Sequence, residues 1–289
     1  MTALPPETVA QAFITSCKAE LTALKPGNVH VHAGGHHMEV AQFAAAAKAA
    51  APFIADPALK PGQRIRAAVG ASMDAADCNT NLGIILLCGP LAAAAQMRRD
   101  GESLRQRLAE VLDGLDMEDT LNVYLAIRRA NPGGLGKTDD ADVSDVPIVP
   151  LIEAMALAAP RDRIAANYVS SFSDIFDDHL PLLNRISAGR ASQPPPAQAD
   201  AVSTLYMSLL ARYPDSHIRR KFGLETAAHV QRLAQAAKPC WHPVVREQSH
   251  AGLLDLDTLL KSEGWNPGTT ADFVVAAVFA AEIERLNQH

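Results

Sequence analysis

Residues 25–37, KPGNVHVHAGGHH, gather one lysine, three glycines and four of the ten histidines of the chain. Lys25 supplies a point charge. Pro26-Gly27 dictates a turn, and Gly34-Gly35 frees the backbone for conformations closed to other residues. Backbone amides of such turns form anion nests, so Lys25, the amides around Gly27 and a histidine could hold a phosphate chain. His30 and His32 also form an HxH pair that could bind a metal, as on the first strand of many metal-dependent hydrolases. No strand–helix alternation follows to build the barrel those hydrolases need. A histidine-rich surface loop is the third reading.

Four later segments carry further chemistry. In DAADCNTNLG, 74–83, Asp74 and Asp77 are three apart and share a helix face. Such a carboxylate pair suits Mg²⁺, which takes oxygen ligands and keeps water. Asn79, Thr80 and Asn81 place amides and a hydroxyl where an apolar helix starts, and a helix N-terminus favours an anion. The loop NPGGLGKTDDADVSD, 131–145, contains GLGKT but fails the nucleotide P-loop pattern. Asn131 stands where the first glycine belongs, and a helix, not a strand, precedes it. Its aspartates, Asp139, Asp140, Asp142 and Asp145, are either a divalent-metal site or a solvated acidic loop. In YPDSHIRRKFG, 213–223, Asp215 or Ser216 can cap a short helix. His217, Arg219, Arg220 and Lys221 then make a basic patch able to clamp a triphosphate. NPGTTADF, 266–273, reads as a turn and a capped helix start, with Thr269-Thr270 as cap candidates.

The elements that must position these groups read as helices throughout. Residues 7–23 put Val9, Ala12, Phe13, Cys17 and Leu21 on one face, with Lys18 and Glu20 outside. Helices are expected at 39–54, from 61, at 102–112, 117–130, 149–157, 162–187, 199–213, 224–237, 256–263 and 270–287. Segment 82–95 has no polar face, which predicts a central helix buried all round. The expected fold is all-α: a single multi-helix bundle domain over 1–289, with a bend or long loop at 189–198 around Pro194-Pro195-Pro196.

Composition agrees. Abundant alanine with only 5% aromatics favours packed helices over sheet. A net charge of −6 argues against nucleic-acid or membrane-surface binding while leaving room for a local basic pocket. Cys17, Cys78, Cys88 and Cys240 form no CxxC pair, which fits a reducing compartment. The N-terminus lacks a secretory pattern, and the longest apolar run is too short to cross a bilayer. A cytoplasmic protein is expected.

In this order the segments KPGNV (25–29), NTNLG (79–83), GGLGKTDDADVSD (133–145), PDSHIRRKFG (214–223) and NPGTTADF (266–273) resemble the triphosphoribosyl-dephospho-CoA synthase family. The resemblance spans nearly the whole chain. It implies an all-α transferase that uses ATP as a ribosyl donor. A ribose hydroxyl of dephospho-CoA displaces adenine from C1′ and leaves a triphosphoribosyl group on the acceptor.

On that resemblance, Lys25, Asn28, Arg219 and Lys221 contact phosphates, with Gly27, Asn79, Thr80, Asn81 and His217 completing the substrate site. Asp74, Asp77 and Asp142 hold Mg²⁺, and His30 or Asp145 is the base. Lyase-associated members carry NTHKG where this chain reads Asn79-Thr80-Asn81-Leu82-Gly83. This chain is more similar to a branch of archaea and methylotrophic bacteria. There the acceptor is expected to be a precursor of a one-carbon cofactor of the methanopterin or methanofuran type. The partners implied are ATP or another phosphorylated donor and a small-molecule acceptor; a homodimer stays open. Two further readings differ in class: a histidine-ligated metal-dependent hydrolase, and a nucleotide-binding protein without catalysis.

Overall fold

The computed structural model describes residues 3–32, 39–98, 101–132, 143, 145–188 and 195–287. Fifteen α-helices are seen among them: α1 (Pro6–Thr22), α2 (Val40–Ile54), α3 (Pro61–Ala76), α4 (Leu82–Gln96), α5 (Leu104–Asp113), α6 (Met117–Ala130), α7 (Leu151–Ala158) and α8 (Arg163–Val169), then α9 (Leu180–Ser187), α10 (Pro195–Arg212), α11 (Ser216–Phe222), α12 (Leu224–Ala236), α13 (Lys238–Trp241), α14 (His250–Ser262) and α15 (Gly268–Leu286). No strand occurs among the described residues, so the fold is all-α as expected.

The central helix is α4. Its residues 84–95 are all buried. It packs on α3, α5 and α15, while α1 packs on α2 and α15. Buried apolar side chains from Leu4 to Ile283 form one contiguous cluster around it. Small side chains make this close approach feasible: Ala92, Ala94 and Ala95 are fully enclosed, and Gly89 leaves the space that Ile65 of α3 fills.

Four expectations change. The helix foreseen over 162–187 is broken. α8 stops at Val169, Ser171 and Phe172 take positive φ of 49° and 57°, and a π-helical turn, Asp174–His179, leads into α9. A left-handed conformation costs about 1–2 kcal/mol per non-glycine residue. What offsets it is the Phe172 ring, fully buried beside Tyr168 at 5.4 Å between centroids. The helix foreseen at 256–263 begins earlier, at His250, after a 3₁₀ turn. The last helix begins at Gly268, with Pro267 at the N-cap, so neither Thr269 nor Thr270 is its cap. Of the bend foreseen at 189–198, residues 189–194 lie outside the described residues. From Pro195 the chain is already helical, which suits a residue without an N–H in a first turn.

Candidate active site

A cavity of about 710 Å³ opens between the N-terminal ends of α4, α8, α11 and α15 and the ends of α1, α6 and α7. That is the size range of a cofactor-sized ligand site. Its wall has four chemistries. Cationic groups come from Arg161, Arg219, Arg220 and Lys221, with His217 beside them. Carboxylates come from Glu20, Asp162 and Asp272, and neutral polar groups from Asn28, Asn79, Thr80, Asn266 and Thr269. Apolar lining comes from Leu82, Ile127, Leu151, Met155 and Ile164.

Each part is placed by local physics. α11 owes its position to Asp215. One carboxylate oxygen, Oδ1, caps the helix by accepting from the His217 and Ile218 amides at 2.8 and 3.0 Å. The other, Oδ2, accepts from the Thr270 amide and hydroxyl, both at 2.8 Å. One buried side chain therefore serves the first turns of two helices, answering the unpaired amides every helix start leaves. The cation-bearing helix is fixed to α15 as a result. Arg219 is steered further by donating to the Pro160 carbonyl at 2.8 Å, and Arg220 faces Asp162 at 3.7 Å. At the α4 start, Asn79 Oδ1 accepts from the Leu82 amide at 3.3 Å.

The KPG turn proves to be scaffold. Lys25 is fully buried and absent from the cavity wall. Its ammonium donates to Glu20 Oε1 and to Asn28 Oδ1 at 2.8 Å. Asn28 Nδ2 donates to Asn266 Oδ1, also at 2.8 Å. Glu20, Asn28 and Asn266 all reach the cavity, so Lys25 orients the groups that do so. Burial pushes the Glu20 carboxyl up and the Lys25 ammonium down, each opposed by the other's charge. Gly27 is no anion contact either. Its amide donates to Asp257 Oδ1 at 2.8 Å. Its φ is +81°, and a Cβ there would fall 2.8 Å from the Trp265 carbonyl oxygen. Tyr206 holds the same turn by donating to the Pro26 carbonyl at 2.8 Å.

The other expected residues divide. Asn28, Asn79, Thr80, His217, Arg219 and Lys221 come together in the cavity wall. Asn81 is buried at the start of α4 outside that wall. His30 is fully buried outside it, with Nε2 3.3 Å from Asp257 Oδ1, and desolvation lowers its pKa. Its neighbour His32 is exposed. Asp145 is exposed and is not a wall residue. Asp74 pairs with Arg129 at 2.6 Å on the surface. Asp77 has left the helix face it was expected to share, because α3 ends at Ala76 and Asp77 caps it at φ 55°. Asp142, and the histidines and glycines at 34–37, lie outside the described residues. Among the described residues no three His, Cys, Asp or Glu side chains are grouped to hold a metal.

Glu20 was expected on the outside of α1. It lies instead on the stripe Phe13, Ser16, Cys17, Glu20, Leu24, all buried. A carboxylate at the i, i+3, i+4, i+7 spacing of a core stripe was the readable signal. Asp272 sits in the NPGTTADF segment, but its place in the wall follows from the docking of α15 on α4.

A family model described as ATP:dephospho-CoA triphosphoribosyl transferase matches residues 6–289. The chain belongs to that family. It is thus a transferase of the kind the resemblance implied, not a histidine-ligated hydrolase. A crystal structure from Archaeoglobus fulgidus, provisionally named a triphosphoribosyl-dephospho-CoA synthase, superposes with a TM-score of 0.61 at 26% identity, over 82% of this chain and 96% of the other. No curated protein sequence gave a significant match.

Proposed function

We propose that this family member transfers the triphosphoribosyl group of ATP to a hydroxyl of dephospho-CoA or a related acceptor, releasing adenine. The observation that carries this reading is the make-up of the cavity wall. Arg161, Arg219, Arg220 and Lys221 line the same cavity as the apolar side chains of Leu82, Ile127, Leu151, Met155 and Ile164, so one ligand with a phosphate chain and a flat or apolar part can use both. Arginine forks and a lysine suit phosphate oxygens. The start of α4 adds amides and a favourable dipole. Glu20, oriented by Lys25, supplies negative charge toward a ribose whose C1′ becomes cationic in the transition state.

Mg²⁺ belongs to this reading as an ion carried in by the triphosphate. It usually keeps several waters and takes one or two protein carboxylates beside phosphates. Asp162, set beside Arg220 in the wall, is the carboxylate suited to hold it. When bound, the ion would neutralise phosphate charge. We read the protein as cytoplasmic, in keeping with four free thiols. A homodimer is part of the reading and is checked by light scattering.

The test is chromatographic. ATP and Mg²⁺ are incubated with dephospho-CoA, and separately with pterin-type and furan-type acceptors. Adenine should appear only with an acceptor, matched by a product heavier by one triphosphoribosyl group. ADP or phosphate in place of adenine, or no adenine with any acceptor, would overturn the reading.

A further inference from the structure

Asp272 is the carboxylate in the wall to which no described residue donates a hydrogen bond. Its position is nonetheless tightly defined. Its Oδ2 occupies the space where a side chain at Gly83 would begin: a Cβ built on Gly83 would lie 2.0 Å from Oδ2 and 2.5 Å from Cγ. The carboxyl group therefore lies against the first turn of α4, with the cavity as its open side. The same built Cβ would lie 3.0 Å from Cδ1 of Ile164, an apolar residue of the cavity lining. A carboxyl held here adjoins an apolar side chain of the lining against which a flat base could pack.

We propose that Asp272 is the proton donor to the departing nucleobase. The proposal rests on the triphosphoribosyl-transfer reading above. The C1′–N9 bond breaks with its electron pair going to the base, while the Asp272 proton passes to a ring nitrogen. The acceptor hydroxyl oxygen forms the new bond to C1′. Its proton leaves to solvent, and solvent reprotonates Asp272 for the next turnover.

The surroundings favour a group that is neutral when the base must leave. Glu20 from α1, Asp162 before α8 and Asp215 before α11 face it as carboxylates. Cys88 from α4 adds a thiol, and Lys25 and Arg220 are the facing cations. Burial, reinforced by Asp215 and Glu20, pushes the Asp272 carboxyl well above its usual range. A carboxylic acid kept protonated in this way is the form that donates.

Asp272→Asn preserves shape and removes the proton. It is compared with the wild type on ATP and on N7-methylated ATP, whose base leaves as a neutral molecule without protonation. On ATP the variant should lose about 10²–10⁴-fold in turnover, the usual worth of general acid catalysis. On the N7-methylated donor it should stay within about tenfold of the wild type, with ATP affinity by calorimetry little changed. Should the variant fold poorly, the wild type still decides. Its turnover on ATP should fall as pH rises through the Asp272 titration, and that limb should vanish with the methylated donor. Equal losses on both donors, normal turnover on ATP, a pH limb shared by both donors, or a defect cured by excess Mg²⁺ would each overturn the assignment. In all these cases the wild type still makes adenine. A wild type that makes none removes the parent reading, and this assignment with it.

Discussion

The Tyr168 hydroxyl donates a hydrogen bond to the Leu86 carbonyl at 2.7 Å. That is the carbonyl that Pro90, one turn further along α4, has no N–H to serve. A proline in the most buried helix would otherwise leave an orphan acceptor in the core. Here a side chain from α8 satisfies it, and the same contact fixes α8 beside the cavity.

Tyr168→Phe should therefore cost about 1–3 kcal/mol, the penalty of a buried group left unpaired. Pro90→Ala restores an amide able to reach Leu86. Tyr168→Phe should be markedly milder in that background, with a coupling of about 0.5–3 kcal/mol in a double-mutant cycle. Urea unfolding of the four proteins gives the answer, and strict additivity would show that the two residues do not share this carbonyl.

Lys25→Met removes one partner of a buried ion pair and strands Glu20. A loss of about 3–5 kcal/mol is expected. Adding Glu20→Gln should restore much of the stability but not the turnover, because the charge proposed to face the ribose is gone. Thermal melts and adenine release, measured together, separate the two effects. Recovery of activity in the double variant would remove Glu20 from the mechanism.

His179 makes acid a liability. It is 1% exposed, with neither ring nitrogen hydrogen-bonded, and burial lowers its pKa to about 4 against the pull of Asp178 and Asp174. Arg163 and Arg212 also face it. Between about pH 6.5 and 4 the unfolded chain binds this proton and the folded chain does not. Stability should thus fall as pH drops across that window, by about 3 kcal/mol in all from this group, and no further below it. His179→Leu should flatten the curve in a series of denaturant titrations. An unchanged slope would mean that the histidine titrates normally.

Asp74→Asn and Asp77→Asn should leave turnover and its Mg²⁺ dependence within about twofold of the wild type. Both carboxylates are exposed, and neither is a wall residue. At most a surface pair with Arg129 is lost, worth about 0–1 kcal/mol. A Mg²⁺ requirement raised tenfold in either variant would return them to the site.

The sequence is legible where local rules decide. The run at 82–95 has no polar face, and it is the buried helix. PDSHIRRKFG announces both the Asp215 cap and the cations behind it. Legibility fails where a side chain's role depends on a partner far along the chain. Lys25 looks like a phosphate ligand until Glu20 and Asn28 are seen to enclose it. Asp74 and Asp77 look like a pair until the helix ends between them. Asp272 gains its importance from the missing side chain at Gly83, a relation that spacing does not express. The turn at Ser171-Phe172 carries no glycine or proline to announce it, since the reward is a ring buried elsewhere.

Glu20 comes from the first helix and Asp272 from the last, and both reach one cavity wall. A chain still being made has no such wall. Until α15 has emerged and docked, the cations of α11 lack the Thr270 anchor and Gly83 has no carboxyl against it. Domains assemble as their segments leave the ribosome, so on the proposed reading nucleotide can be captured only once α15 has docked. Fragments that stop short of α15 should not compete for substrate, and a nucleotide that binds only the docked arrangement would act as a ligand that holds α1 and α15 in place.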